Sequence, residues 1–156
     1  MKRSELTLVT LTAAVAALAA GLSAAPAATH SAARAAPVKT ATSPLGRIIV
    51  DSGGRTLYLF GKDLRGHSAC AGACAAYWPP LLAHGRPTAG RGAKQSLLGI
   101  TRRSAGTTQV TYAGHPLYRF VQDIRPGQTS GQDSHAFGAG WYVLSPAGRR
   151  IEKDGQ

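Results

Sequence analysis

Cys70 and Cys74 are the chain's only cysteines, and His67 and His84 stand on either side of them. Three chemistries suit such a group. Two cysteines in an exported protein normally pair, and a spacing of i to i+4 on a helix brings the Cα atoms to about 6 Å, inside the disulfide range. The Cβ atoms of an ideal helix stand too far apart for the bond, so Gly72 is expected to let the turn deform. Closing so short a loop is worth only about 2 kcal/mol, and it acts locally, holding the Tyr77-Trp78 end of the segment against the sheet. As thiolates, Cys70 and Cys74 could instead join His67 and His84 around zinc or copper. A short-loop disulfide could also be labile and redox-active. Export favours the structural disulfide. C-x-x-x-C is not the C-x-x-C of thioredoxin-like enzymes, and Ala75 follows Cys74 where covalent haem attachment needs His. No cofactor is expected, zinc or copper being the alternative.

The carboxylates form a second pattern. Gly54–Asp63 set above Gly114–Asp123 gives the frame Gly-x-x-Leu-Tyr-x-Phe-x-x-Asp twice, sixty residues apart. Such recurrence implies an internal duplication. Period-two alternation puts Tyr58 and Phe60 on one strand face, and Tyr118 and Phe120 on another. Asp63 and Asp123 then fall just past the strand ends. There a carboxylate accepts hydrogen bonds from backbone N–H groups of the following loop, which is the structural reading and the expected one. Convergence of the two carboxylates on a cation or a proton would be the functional one. No G-x-S-x-G, H-E-x-x-H or complete phosphate-loop motif occurs, and no enzymatic activity is expected. His115 and His135 read as loop or half-buried histidines.

The elements that must position these residues are short. Arg47–Asp51 and Thr56–Phe60, separated by Ser52-Gly53-Gly54-Arg55, have the pattern of a hairpin. Further strands are predicted at Gly99–Arg103, Thr108–Tyr112, Pro116–Phe120, Trp141–Ser145 and Arg149–Lys153. A short helix from Gly72 towards Trp78 must end at Pro79-Pro80. One hairpin alone is marginal in water, so two duplicated units are expected to pack together. The predicted fold is mainly β: duplicated hairpins in a small antiparallel sandwich or barrel, with one disulfide-tethered helical turn.

Lys2 and Arg3, an apolar stretch from Leu6 to Leu22 and small residues at Ala25-Pro26-Ala27 read as a cleavable signal peptide over 1–27. A lipidation cysteine would follow Leu18-Ala19-Ala20-Gly21, where the chain has Leu22. Residues 28–44, rich in Ala, Thr, Ser and Pro, read as a flexible spacer. A single β domain is expected over 45–156, with repeats at about 45–66 and 105–126. The product is expected to be secreted or extracellular, in association with the cell envelope. The 156 residues hold 18 Lys and Arg against 7 Asp and Glu, a net charge of +11. That balance favours an anionic cell-wall polymer or membrane surface, the alternative being a merely solvated Arg-rich surface. The scattered charges and the missing aromatic-basic block argue against nucleic acid.

Tyr58-Leu59-Phe60-Gly61-Lys62-Asp63 and Tyr118-Arg119-Phe120-Val121-Gln122-Asp123 both match Y-x-[FWY]-x-x-D, with Cys70 to Cys74 and Trp78-Pro79-Pro80-Leu81 between them. The chain resembles the secreted bacterial lipoproteins named after that motif, a family of paired repeats of unestablished function, over about positions 45 to 152. The resemblance implies export and envelope association without an assigned activity. The expected role is a non-enzymatic binding or structural module, the alternative being a redox or metal-handling protein centred on Cys70 and Cys74.

Overall fold

A computed structural model describes residues 38–104 and 106–152. The expected signal peptide and the expected spacer up to residue 37 lie outside the described residues. Seven short strands are built: β1 (Lys39–Ser43), β2 (Gly46–Val50), β3 (Tyr58–Phe60), β4 (Leu98–Arg102), β5 (Thr108–Tyr112), β6 (His115–Pro116) and β7 (Trp141–Val143), with one helix, α1 (Ala73–Tyr77). They pair antiparallel as β1-β2, β3-β7 and β4-β5-β6, sandwich-like sheets that do not close into a barrel.

At the centre, β3 takes β7 on one edge, with Leu59 opposite Tyr142. On its other edge it meets the second motif: Tyr58 N–H donates to Tyr118 O at 2.9 Å, and Tyr118 N–H donates back to Tyr58 O at 3.0 Å. That reciprocal pair marks an approximate two-fold axis between the repeats. Outside Tyr118 runs the Tyr77–Leu81 segment, bonded by Arg119 N–H to Pro79 O and Val121 N–H to Tyr77 O. Two prolines cannot donate to a ladder, which suits a partial edge strand.

Both faces of this centre are buried, so the run Leu57-Tyr58-Leu59-Phe60 is apolar throughout instead of alternating with polar residues. Leu57, Leu59 and Leu117 enter an aliphatic core with Val38, Ile49, Leu81, Val110, Tyr112 and Leu144. Tyr58, Phe60 and Tyr118 enter an aromatic core with Trp78, Trp141 and the cysteines. The outer sheets attach by matching bonds, Ile49 N–H to Leu144 O on one side and Val110 N–H to Leu81 O on the other.

Four expectations are corrected. The spacer does not extend to residue 44: Lys39–Ser43 is a strand, held by β2 and by Thr40 N–H donating to Arg91 O. Its Thr- and Ala-rich sequence carries no apolar pattern, and the neighbours supply its order. The hairpin of 47–51 with 56–60 is reduced to one bridge, Val50 to Thr56, because β3 pairs with β7 and Tyr118. The strand expected over Pro116–Phe120 is regular only at His115–Pro116 and continues as single bridges at Tyr118. The strand expected from Arg149 is one bridge, Leu144 to Arg150, and Lys153 lies outside the described residues.

Candidate functional site

The motif residues are joined crosswise. Tyr58 O–H donates to Asp123 Oδ2 at 2.5 Å, and Tyr118 O–H donates to Asp63 Oδ2 at 2.8 Å, so each repeat's phenol caps the other repeat's carboxylate. The remaining carboxylate oxygens accept from the following loops, Asp63 Oδ1 from Ala69 N–H at 2.7 Å and Asp123 Oδ1 from Ser130 N–H at 2.9 Å. All four oxygens therefore have a protein donor. The carboxylates act as clasps, each tying its own loop to the opposite strand.

Between the clasps the rings of both repeats form one continuous stack. Phe60 lies on Trp141 at 4.1 Å, Trp141 on Trp78 at 3.9 Å, and Trp78 on Phe120 at 4.3 Å. Tyr58 meets Trp78 edge-on at 5.3 Å, and Tyr118 meets Trp141 edge-on at 5.2 Å. Each contact has its counterpart across the approximate axis. Edge-to-face and offset arrangements match the aromatic quadrupole and add about 0.5–1.5 kcal/mol per pair beyond burial. Gly131 closes the site: a Cβ there would lie 2.5 Å from the Trp78 ring.

Trp141 is the residue that the sequence reading missed. Its signal is Trp78-Pro79-Pro80-Leu81 repeated as Trp141-Tyr142-Val143-Leu144, sixty-three residues on. The three-residue offset hides it from a sixty-residue frame.

Cys70 and Cys74 are bonded to each other, with Cα atoms 5.2 Å apart and both residues buried. Cys70 precedes α1, and Gly72, at φ 57°, makes the bend that an ideal helix would not allow. The bond holds the loop whose Ser68 Oγ–H donates to the Tyr118 phenol oxygen at 2.7 Å, the phenol's own hydrogen being given to Asp63. Arg103 straps the same loop, Nη1 donating to Ser68 Oγ at 2.8 Å and Nη2 to Cys70 O at 2.6 Å. The alternative metal set of His67, Cys70, Cys74 and His84 is not assembled: the sulfurs are joined, and His67 Nδ1–H donates to Arg65 O at 3.2 Å. Among the described residues no group of three or more His, Cys, Asp and Glu converges. A second unforeseen contact is the ion pair of Arg119 with buried Asp51, at 2.7 Å.

Burial pushes the Tyr58 and Tyr118 phenols far above their ordinary range, reinforced by their aspartate partners. Burial also raises the Asp63 carboxyl, opposed by the Ala69 N–H and Tyr118 O–H. It lowers the His115 imidazole, with Arg65 adding to the effect. The phenol shifts have a definite sign. Unfolded tyrosine ionises near 10, so stability is complete below pH 10 and falls above it, where the unfolded chain releases protons that the fold retains. Each such phenol removes about 1.4 kcal/mol of stability per pH unit there. In urea titrations between about pH 9 and about 11.5, Tyr58→Phe is expected to flatten the decline.

A family model described as a secreted repeat of unknown function matches residues 39–82 and 99–145. No curated protein and no solved structure matches the chain. Each matched segment begins in an outer sheet and ends on its own Trp-x-x-Leu, so the structural unit is longer than the hairpin around the motif. The two segments cover more than half of the sequence, and the chain belongs to this family of secreted repeats.

Proposed function

We propose that the domain is a non-enzymatic extracellular module that binds an anionic polymer of the cell envelope. The supporting observation is the distribution of charge. Asp51 is held by Arg119, Asp63 and Asp123 are enclosed by their clasps, and Glu152 pairs with Arg150. Lys39, Arg47, Arg65, Arg102 and Arg125 are at or near the surface, and among the described residues only Arg119 and Arg150 make ion pairs. With Asp51, Asp63 and Asp123 engaged inside the fold, Glu152 paired at the surface and Asp133 Oδ1 accepting from Gln132 Nε2, the described surface presents mainly cations, which attract polyanions over a Debye length. The buried disulfide and the capped carboxylates favour a scaffold role for the motif over chemistry at it.

The test is binding to soluble poly(glycerol phosphate), with dextran as the neutral control. Raising salt from about 0.1 to about 1 M shortens the Debye length from roughly 10 to roughly 3 Å. Affinity is expected to fall at least tenfold over that range, with dextran unbound throughout. Absence of polymer binding at low salt, or binding indifferent to salt, overturns the reading.

A further inference from the structure

Beside the disulfide loop lies a cavity of about 170 Å³, lined by His67, Ser68 and Cys70 on one side and Arg102, Arg103 and Ser104 on the other. Pockets for whole small molecules begin at roughly 300 Å³. This one suits a single compact ionic group, and its walls carry two guanidinium groups and two hydroxyls.

Arg103 is fixed in place before any ligand arrives. Nη1 donates to Ser68 Oγ at 2.8 Å and to Gln109 Oε1 at 2.5 Å, and Nη2 donates to Cys70 O at 2.6 Å. A guanidinium carries five N–H donors. Nε–H and one Nη2–H remain without a protein partner among the described residues, and neither nitrogen is sealed from solvent without a bond. A preorganised guanidinium edge of this kind matches two oxygens of a phosphate. Arg102, exposed on β4, supplies a second cation. Asp63, the acid nearest in the network, has both oxygens occupied by Ala69 N–H and Tyr118 O–H.

The duplicated scaffold does not itself require this cluster. In the other half, Tyr58 and Asp123 are completed by backbone N–H groups of Gly131 and Ser130, with no arginine. Arg103 and its cavity therefore break the two-fold pattern on one side only.

We infer that this cavity is a binding site for one phosphate group, held between Arg102 and the free edge of Arg103. The inference rests on the polyanion reading above and gives it a specific seat, occupied by a phosphate of the polymer or by free phosphate.

The full chain is titrated with inorganic phosphate and followed by amide chemical shifts, and separately with poly(glycerol phosphate). Saturable shifts are expected at Ser68, Arg102 and Arg103. Arg102→Gln, an exposed change that leaves the core intact, is expected to weaken phosphate at least tenfold, whereas Lys94→Gln leaves it unchanged. Polymer binding without a saturable phosphate site, or equal phosphate affinity in Arg102→Gln and the parent, overturns the cavity and leaves the surface reading standing. Phosphate saturating at these residues without polymer binding supports the cavity as a site for free phosphate and overturns the polymer reading instead.

Discussion

Trp141→Ala is expected to lower the melting temperature by roughly 15–30 °C, the consequence of a loss of about 3–5 kcal/mol for truncating a buried tryptophan. Trp141 is 0 % exposed and lies between Phe60 and Trp78, with the edge of Tyr118 against it. Its Nε1–H donates to Ala136 O at 3.0 Å, so truncation also leaves a carbonyl without its donor. Small domains are stable by only about 5–15 kcal/mol, and such a loss is a large share of that. Trp78→Ala removes the opposite half of the same stack and is expected to act similarly. The double substitution should cost less than the sum, because the contact between the two rings is lost only once. A calorimetric melt of the three variants checks this. A shift of only a few degrees for either single change would show that the stack is not the joint between the repeats.

The duplicated motif was legible because strand geometry imposes a period of two and because the same ten-residue frame occurs twice. The disulfide was legible from compartment and parity. The crossing of the two motifs was not. Tyr58 and Asp63 stand five positions apart and invite pairing within one repeat, yet the approximate two-fold axis delivers Asp123 to Tyr58 and Asp63 to Tyr118. Sequence records neighbours along the chain, whereas this arrangement depends on how two copies are set against each other. Strand β1 was hidden for a related reason. Thr40-Ala41-Thr42 has no pattern of its own, and its order comes from the β2 ladder and the Thr88–Arg91 segment. Arg103 looked like one scattered charge among eighteen basic residues until the fold placed it against Ser68 and Cys70.

The crossing makes a prediction that a merely local motif would not. In a double-mutant cycle read by urea denaturation, Tyr58→Phe and Asp123→Asn are expected to couple by about 1–3 kcal/mol, as residues sharing a buried hydrogen bond do. Tyr118→Phe and Asp63→Asn should couple in the same way, whereas Tyr58→Phe and Asp63→Asn, from one repeat, should add with little interaction. Asp123→Ala is the most costly change at the clasps. At 1 % exposure its carboxylate holds both the Tyr58 phenol and the Ser130 N–H, and hydrogen bonds to a charged group contribute about 1.5–3 kcal/mol. Asp63→Asn is expected to be milder, because burial already draws that carboxyl towards its neutral form and an amide keeps an acceptor for Ala69. Coupling confined to residues of the same repeat would contradict the crossed arrangement. Coupling across the repeats has a further consequence: each repeat supplies the hydrogen-bond donor that the other's buried carboxylate needs, so a chain cut between them is expected to leave neither half folded until the two are recombined.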